Sequence, residues 1–157
     1  MKNLDSLKQH GDVIWNIANL LRGPYHPPPY RRVMIPLTVL RRLDCVLEST
    51  KDKVIAHHQK LKATGKYDAE TIEKMVNHKF VLTFHNTSEF TFSSLLGDPD
   101  NLAANLGKFM AGFSSRARKI IEKFKFEEEI EKLEDANRLF EVIQQVRAHL
   151  RYGRHVV

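Results

Sequence analysis

A chain of 157 residues with 42% hydrophobic and 28% charged side chains is long enough to bury one core and too apolar to stay disordered. Its formal charge is +6, and the whole excess lies in residues 1–62, which carry 11 Lys and Arg against 5 Asp and Glu, whereas residues 63–157 hold 14 of each. No apolar run approaches the roughly 20 residues that span a bilayer, the polar start MKNLDSLKQHGD is not a secretory signal, and the single Cys45 excludes an intrachain disulfide or a thiolate metal cluster. The cytoplasm is the default location, and Cys45 reads as a reduced, buried thiol.

The spacing of Val13, Ile14, Ile17, Leu20 and Leu21 predicts a first helix over 5–21, with Trp15 off the centre of its apolar stripe. Gly23 to Tyr30 contains Pro24 and three consecutive prolines, Pro27, Pro28 and Pro29, which no helix accommodates. This stretch predicts a stiff, extended connector. A second helix is expected over 31–62, with Val33, Leu37, Leu40, Leu43 and Leu47 on its apolar side, flanked by Ile35 and Val46. Pro36 falls inside it, so the helix either starts near Pro36 or kinks there. Asp68 is a natural N-cap for a third helix over 69–78.

Phe80 to Phe84 and Phe90 to Phe92 are apolar and too short for periodicity to decide between strand and helix. Asp98 followed by Pro99 predicts a helix start, with Leu102, Leu106, Phe109 and Met110 facing inward as far as Gly112. Ser114 or Ser115 can cap a short helix over 116–124, and Leu139, Ile143, Val146 and Leu150 mark a last helix over 135–150. The fold expected is all-α: a compact helical bundle of about six helices with a Pro-rich connector and little or no sheet.

The sequence offers little bond-making chemistry. It contains no GxGxxG, GxxxxGK[ST], GxSxG or HExxH motif. His57 and His58 are adjacent and so point about 100° apart on a helix; with His78 and His85 they read as surface histidines. The run Glu127, Glu128, Glu129 and Glu131 reads as a solvated helix face. No catalytic, cofactor-binding or metal-ligating residue is nominated. The basic residues remain: Arg31, Arg32, Arg41, Arg42, Lys51 and Lys53, with a second cluster at Arg116, Arg118 and Lys119. Arginine and lysine in such groups suit phosphate contacts, although an ordinary solvated helix face would look the same. Positive charge at the start of the helix after Ser114 opposes the helix dipole, which hints at a use elsewhere.

The run Ile14-Trp15-Asn16-Ile17-Ala18-Asn19-Leu20-Leu21-Arg22-Gly23 resembles the opening helix of the M (modification) subunit of type I restriction–modification DNA methyltransferases. So do Tyr30 through Asp44, Phe84 through Ser88, Leu96 through Leu102, and Phe109 through Phe124, in the same order. The resemblance spans about residues 10–147. It implies an N-terminal helical bundle that helps engage DNA and assemble subunits. It further implies a parent enzyme that transfers a methyl group from S-adenosylmethionine to adenine N6, alongside a specificity (S) subunit and a restriction (R) subunit. That family's catalytic domain carries an Asn-Pro-Pro-Phe/Tyr motif, and this sequence has no Asn-Pro step. The chain is therefore expected to be the N-terminal domain alone, residues 1–150 with a frayed tail at 151–157. Without the catalytic domain it should be inactive by itself. The other reading is a purely structural protein–protein assembly module without direct DNA contact.

Overall fold

The computed structural model describes residues 15–19 and 31–150. Residues 15–19 are helical, and Ile17 is completely buried in the main core. The rest of the predicted first helix, the Pro-rich connector and the 151–157 tail lie outside the described residues.

Helix α1 (Arg31–Leu47) buries Val33, Pro36, Leu37, Leu40, Asp44 and Leu47, the three- and four-residue steps of one helix face. It starts five residues before Pro36, so the first of the two expected alternatives does not hold. The expected single helix over 31–62 is instead two. After Leu47 the Thr50 backbone N–H and hydroxyl both donate to the Leu47 carbonyl, at 3.2 and 3.4 Å, and the chain turns before α2 (Lys51–Ala63). Ser49 and Thr50 offer the backbone such local partners, which is why they break helices.

The third helix, α3 (Ala69–Phe80), starts where Asp68 predicts, its carboxylate accepting from the Thr71 N–H at 2.7 Å. It ends on a left-handed residue, Val81, at φ 56°. The Leu82 N–H reaches the Asn77 carbonyl and the Val81 N–H reaches that of His78, which is the Schellman pattern. A β-branched residue is strained in this conformation. Leu82, the residue after it, packs against both apolar clusters that the described residues form.

The ambiguous segments resolve through side-chain caps. Thr91 and Ser94 form a reciprocal capping box at the start of α4 (Phe92–Leu96). Pro99 opens a single 3-10 turn, Pro99–Asn101, that leads into α5 (Leu102–Ala111). The Asp98 carboxylate accepts from the side-chain amides of Asn101 and Asn105 rather than from a backbone N–H. Helices α6 (Ser115–Glu122), α7 (Phe126–Asp135) and α8 (Leu139–His149) follow. Lys125 and Asn137 adopt left-handed backbone at φ 50° and 60°, separating α6 from α7 and α7 from α8. The last helix therefore starts at Leu139, not at the expected 135.

Among the described residues no strand forms; the nearest approach to one is an isolated antiparallel bridge between Asn86 and Phe113. The all-α expectation holds, although the chain is cut into more and shorter helices than six. No described helix is long and apolar enough to cross a membrane.

Two apolar clusters result. The main core gathers α1 and α4 to α8 around Phe92, Phe109, Phe113 and Phe126, with Phe92–Phe109 and Phe109–Phe113 ring centroids 6.0 and 5.2 Å apart, edge to face. A smaller cluster of Val54, Leu61, Ile72 and Val76 closes the α2–α3 hairpin on itself. The loop over 82–91 joins them. The Ser114 N–H donates to the His85 carbonyl at 2.8 Å and the Thr87 N–H to that of Gly112 at 2.9 Å. This close approach demands glycine at 112, because a Cβ there would lie 2.7 Å from Ser88 Cβ and 2.9 Å from the Ser88 backbone nitrogen.

Candidate interaction surface

Helix α1 turns its core face inward and leaves Arg31, Arg32, Ile35, Arg42 and Val46 exposed. At about 100° per residue, Arg31 and Arg42 fall together on the solvent side, whereas Arg32 shares the angular position of Val39, seven residues on. Every exposed charge on α1 is positive, since its one acid, Asp44, is buried. Lys53 is exposed on α2, and Arg116 and Lys119 on α6. Arg118 is half-buried and faces Glu122 at 3.9 Å. Arg31, Arg32, Arg42, Lys53, Arg116 and Lys119 make no ion pair with a described residue within 4 Å.

The other two nominated cations are occupied inside the molecule. Arg41 Nε donates to the Leu150 carbonyl at 2.9 Å, Nη2 to the Arg147 carbonyl at 3.2 Å, and Nη1 to Asp44 Oδ2 at 3.1 Å. One guanidinium thus caps the C-terminal carbonyls of α8, balances a buried carboxylate, and lies 5.6 Å from the centre of the Phe92 ring. Lys51, 7% exposed, donates Nζ to the Phe90 carbonyl at 2.7 Å and to Asn86 Oδ1 at 3.2 Å. Burial lowers its pKa to about 8, against the upward pull of Asp44 and Asp52. Burial likewise raises the Asp44 pKa, and the Phe92 N–H, Arg41 and Lys51 pull it only part of the way back.

Some polar residues do structural work that their sequence context conceals. His85 is not a surface histidine: it is 1% exposed, and its Nδ1 lies 2.7 Å from Asn77 Oδ1. Burial lowers its pKa, Glu73 raises it and His58 lowers it further. His78 is exposed, and His57 and His58 are intermediate. Glu129 is likewise buried at 3%, with the Lys132 ammonium 3.7 Å away, while Glu127, Glu128 and Glu131 are exposed as expected. Cys45 is half-buried. Ser114 does not cap α6; its hydroxyl accepts from the His85 N–H at 2.9 Å. The carboxylate of Glu73, on α3, serves the helix start instead, accepting from the Ser115 N–H at 2.7 Å and the Ser115 hydroxyl at 2.8 Å. This anion offsets the clash of Arg116, Arg118 and Lys119 with the helix dipole. Only the packing of α3 against α6 could reveal it.

Between α1, the 83–84 segment and α6 runs a groove of about 390 Å³, lined by Val39, Leu43, Thr83, Phe84, Arg116, Ala117, Ile120 and Ile121. Among the described residues no three His, Cys, Asp or Glu side chains come together to share a metal ion.

The family model of the HsdM N-terminal domain matches residues 11–146, which include α1 to α7, the groove and the basic positions. The chain belongs to this family. It is the N-terminal domain type of the M subunit of type I restriction–modification methyltransferases, as the sequence resemblance implies. Comparison with curated proteins and with solved structures gives no match. In this HsdM N-terminal domain, then, the described residues present an arginine-bearing outer helix beside an apolar groove.

Proposed function

We propose that this domain serves an M subunit as a non-catalytic module that supports DNA engagement and subunit assembly for adenine-N6 methylation. The methyl donor, S-adenosylmethionine, would be held by a catalytic domain in the parent enzyme, with the specificity and restriction subunits as partners. The observation that carries the DNA part is the set of exposed cations Arg31, Arg42 and Lys53, which make no ion pair with a described residue, on the positively biased part of the chain. Such side chains contact phosphates with little dependence on base sequence. Arg41 and Lys51 are left out of this surface because their donors are already committed.

The test is DNA affinity across a salt series, comparing the unaltered protein with Arg31→Ala/Arg42→Ala/Lys53→Ala. Each phosphate contact contributes about 0.9 to the slope of log K against log salt, so losing three should flatten it by about 3. An unchanged slope would refute DNA contact by these three residues. The second reading, an assembly module without direct DNA contact, is favoured by the apolar groove, which has no counterpart in phosphate recognition.

A further inference from the structure

The groove between α1 and α6 is a poor receptor for nucleic acid and a good one for protein. Six of its eight lining residues, Val39, Leu43, Phe84, Ala117, Ile120 and Ile121, are apolar. Its apolar surface continues beyond the cleft. Of the six exposed large hydrophobics among the described residues, Ile35, Val46 and Ile120 lie on the two flanking helices, each about half exposed. Ile35, Val39 and Val46 share one face of α1, ~16 Å or three turns of helix from Ile35 to Val46, with the exposed Arg42 seated between Val39 and Val46 on that same face. That length exceeds what one small ligand covers and suits a helix laid into a groove.

The charges flanking it carry one sign. Arg116 lines the groove from α6, Arg32 stands on the stripe's own face of α1, and neither has a carboxylate partner within 4 Å among the described residues. The domain's own acidic helix cannot fill the cleft, because α7 is anchored by buried Phe126, Ile130 and Leu133.

We propose that the groove between α1 and α6 receives an amphipathic helix from a partner protein, apolar face in the cleft and acidic rim against Arg32 and Arg116. This rests on the assembly part of the function proposed above and names the chemistry of the partner. Apolar burial would supply the affinity, and the two arginines would select acidic over basic or neutral helices.

The experiment places the photo-crosslinker p-benzoylphenylalanine at Ile120, and as a control at Tyr67, in the full M subunit co-expressed with its specificity subunit. Mass spectrometry then maps the crosslinked peptides. The expected result is an Ile120-specific crosslink to a segment of another chain with apolar residues at three- and four-residue spacing and flanking Asp or Glu. A crosslink to DNA, to residues 1–30 of the same chain, to a segment without acids, or to nothing would overturn the proposal. A second arm uses exposed positions that folding tolerates. Ile35→Asn/Ile120→Asn should weaken association at least tenfold while leaving the salt slope of DNA binding unchanged. Arg116→Glu should weaken it too, and an acid-to-Lys change in the crosslinked segment should restore it; failure of that rescue refutes the charge pairing. If instead the DNA reading is wrong, the arginine–lysine triple variant shows it through an unchanged salt slope, whatever the crosslinks report.

Discussion

Arg41 and Arg42 are neighbours in sequence, and the structure buries one and exposes the other, so Arg41→Ala should cost stability that Arg42→Ala does not. Arg41 is 13% exposed, holds two carbonyls at the end of α8, and pairs with Asp44, itself 8% exposed. Removing one partner of a buried ion pair costs ~3–5 kcal/mol, because the other charge is left without compensation. Asp44 keeps the Phe92 N–H at 3.3 Å and the nearby Lys51, which places the expected loss at the lower end, about 3 kcal/mol. For a chain of this length that is a fall in melting temperature of about 6–12 °C. Arg42→Ala, on the exposed side, should stay within about 0.5 kcal/mol of the unaltered protein. Thermal and urea unfolding followed by circular dichroism measure both. The loss in Arg41→Ala should also shrink in acid. Asp44 already has a raised pKa, loss of Arg41 raises it further, and once the carboxyl takes its proton no charge is left uncompensated. If Arg41→Ala melts within a degree of the unaltered protein at neutral pH, the assignment of Arg41 to the interior is wrong.

Glu73→Ala removes the carboxylate that holds both the N–H and the hydroxyl of Ser115. It should cost about 2 kcal/mol and speed amide hydrogen exchange in α3 and at the start of α6; uniform exchange across the molecule would contradict this local role. The buried His85 makes the fold sensitive to acid. Its folded pKa is lowered, so the unfolded chain takes up the proton first, and stability present above the ordinary histidine pKa of 6.5 is lost as pH falls below it. His85→Gln should flatten that part of the curve of stability against pH, and a curve as steep as before would assign the effect to another group.

Much of the fold is local and therefore legible in the sequence. The Asp68 cap, the inward face of Leu102, Leu106, Phe109 and Met110, and the core face of α1 follow from side-chain spacing and short-range hydrogen bonds. The all-α class follows from the same periodicities. The helix breaks were less legible: Val81, Lys125 and Asn137 take left-handed backbone without being glycine, so the usual signal for a stop is missing.

The sequence by itself determined the helical class, the positive bias of residues 1–62 and the family resemblance, since these depend on residue type and near-neighbour order. Only the tertiary structure decided which polar groups are available. Arg41 is spent on the carbonyls of Arg147 and Leu150, Lys51 on Asn86 and Phe90, and Glu73 on Ser115, partners 35 to 109 residues away along the chain. The groove between α1 and α6 arises in the same way, from apolar residues that sequence order keeps far apart. Burial and long-range pairing set the cost of exposing a charge or an apolar face, and neither can be read from a residue's neighbours in the chain.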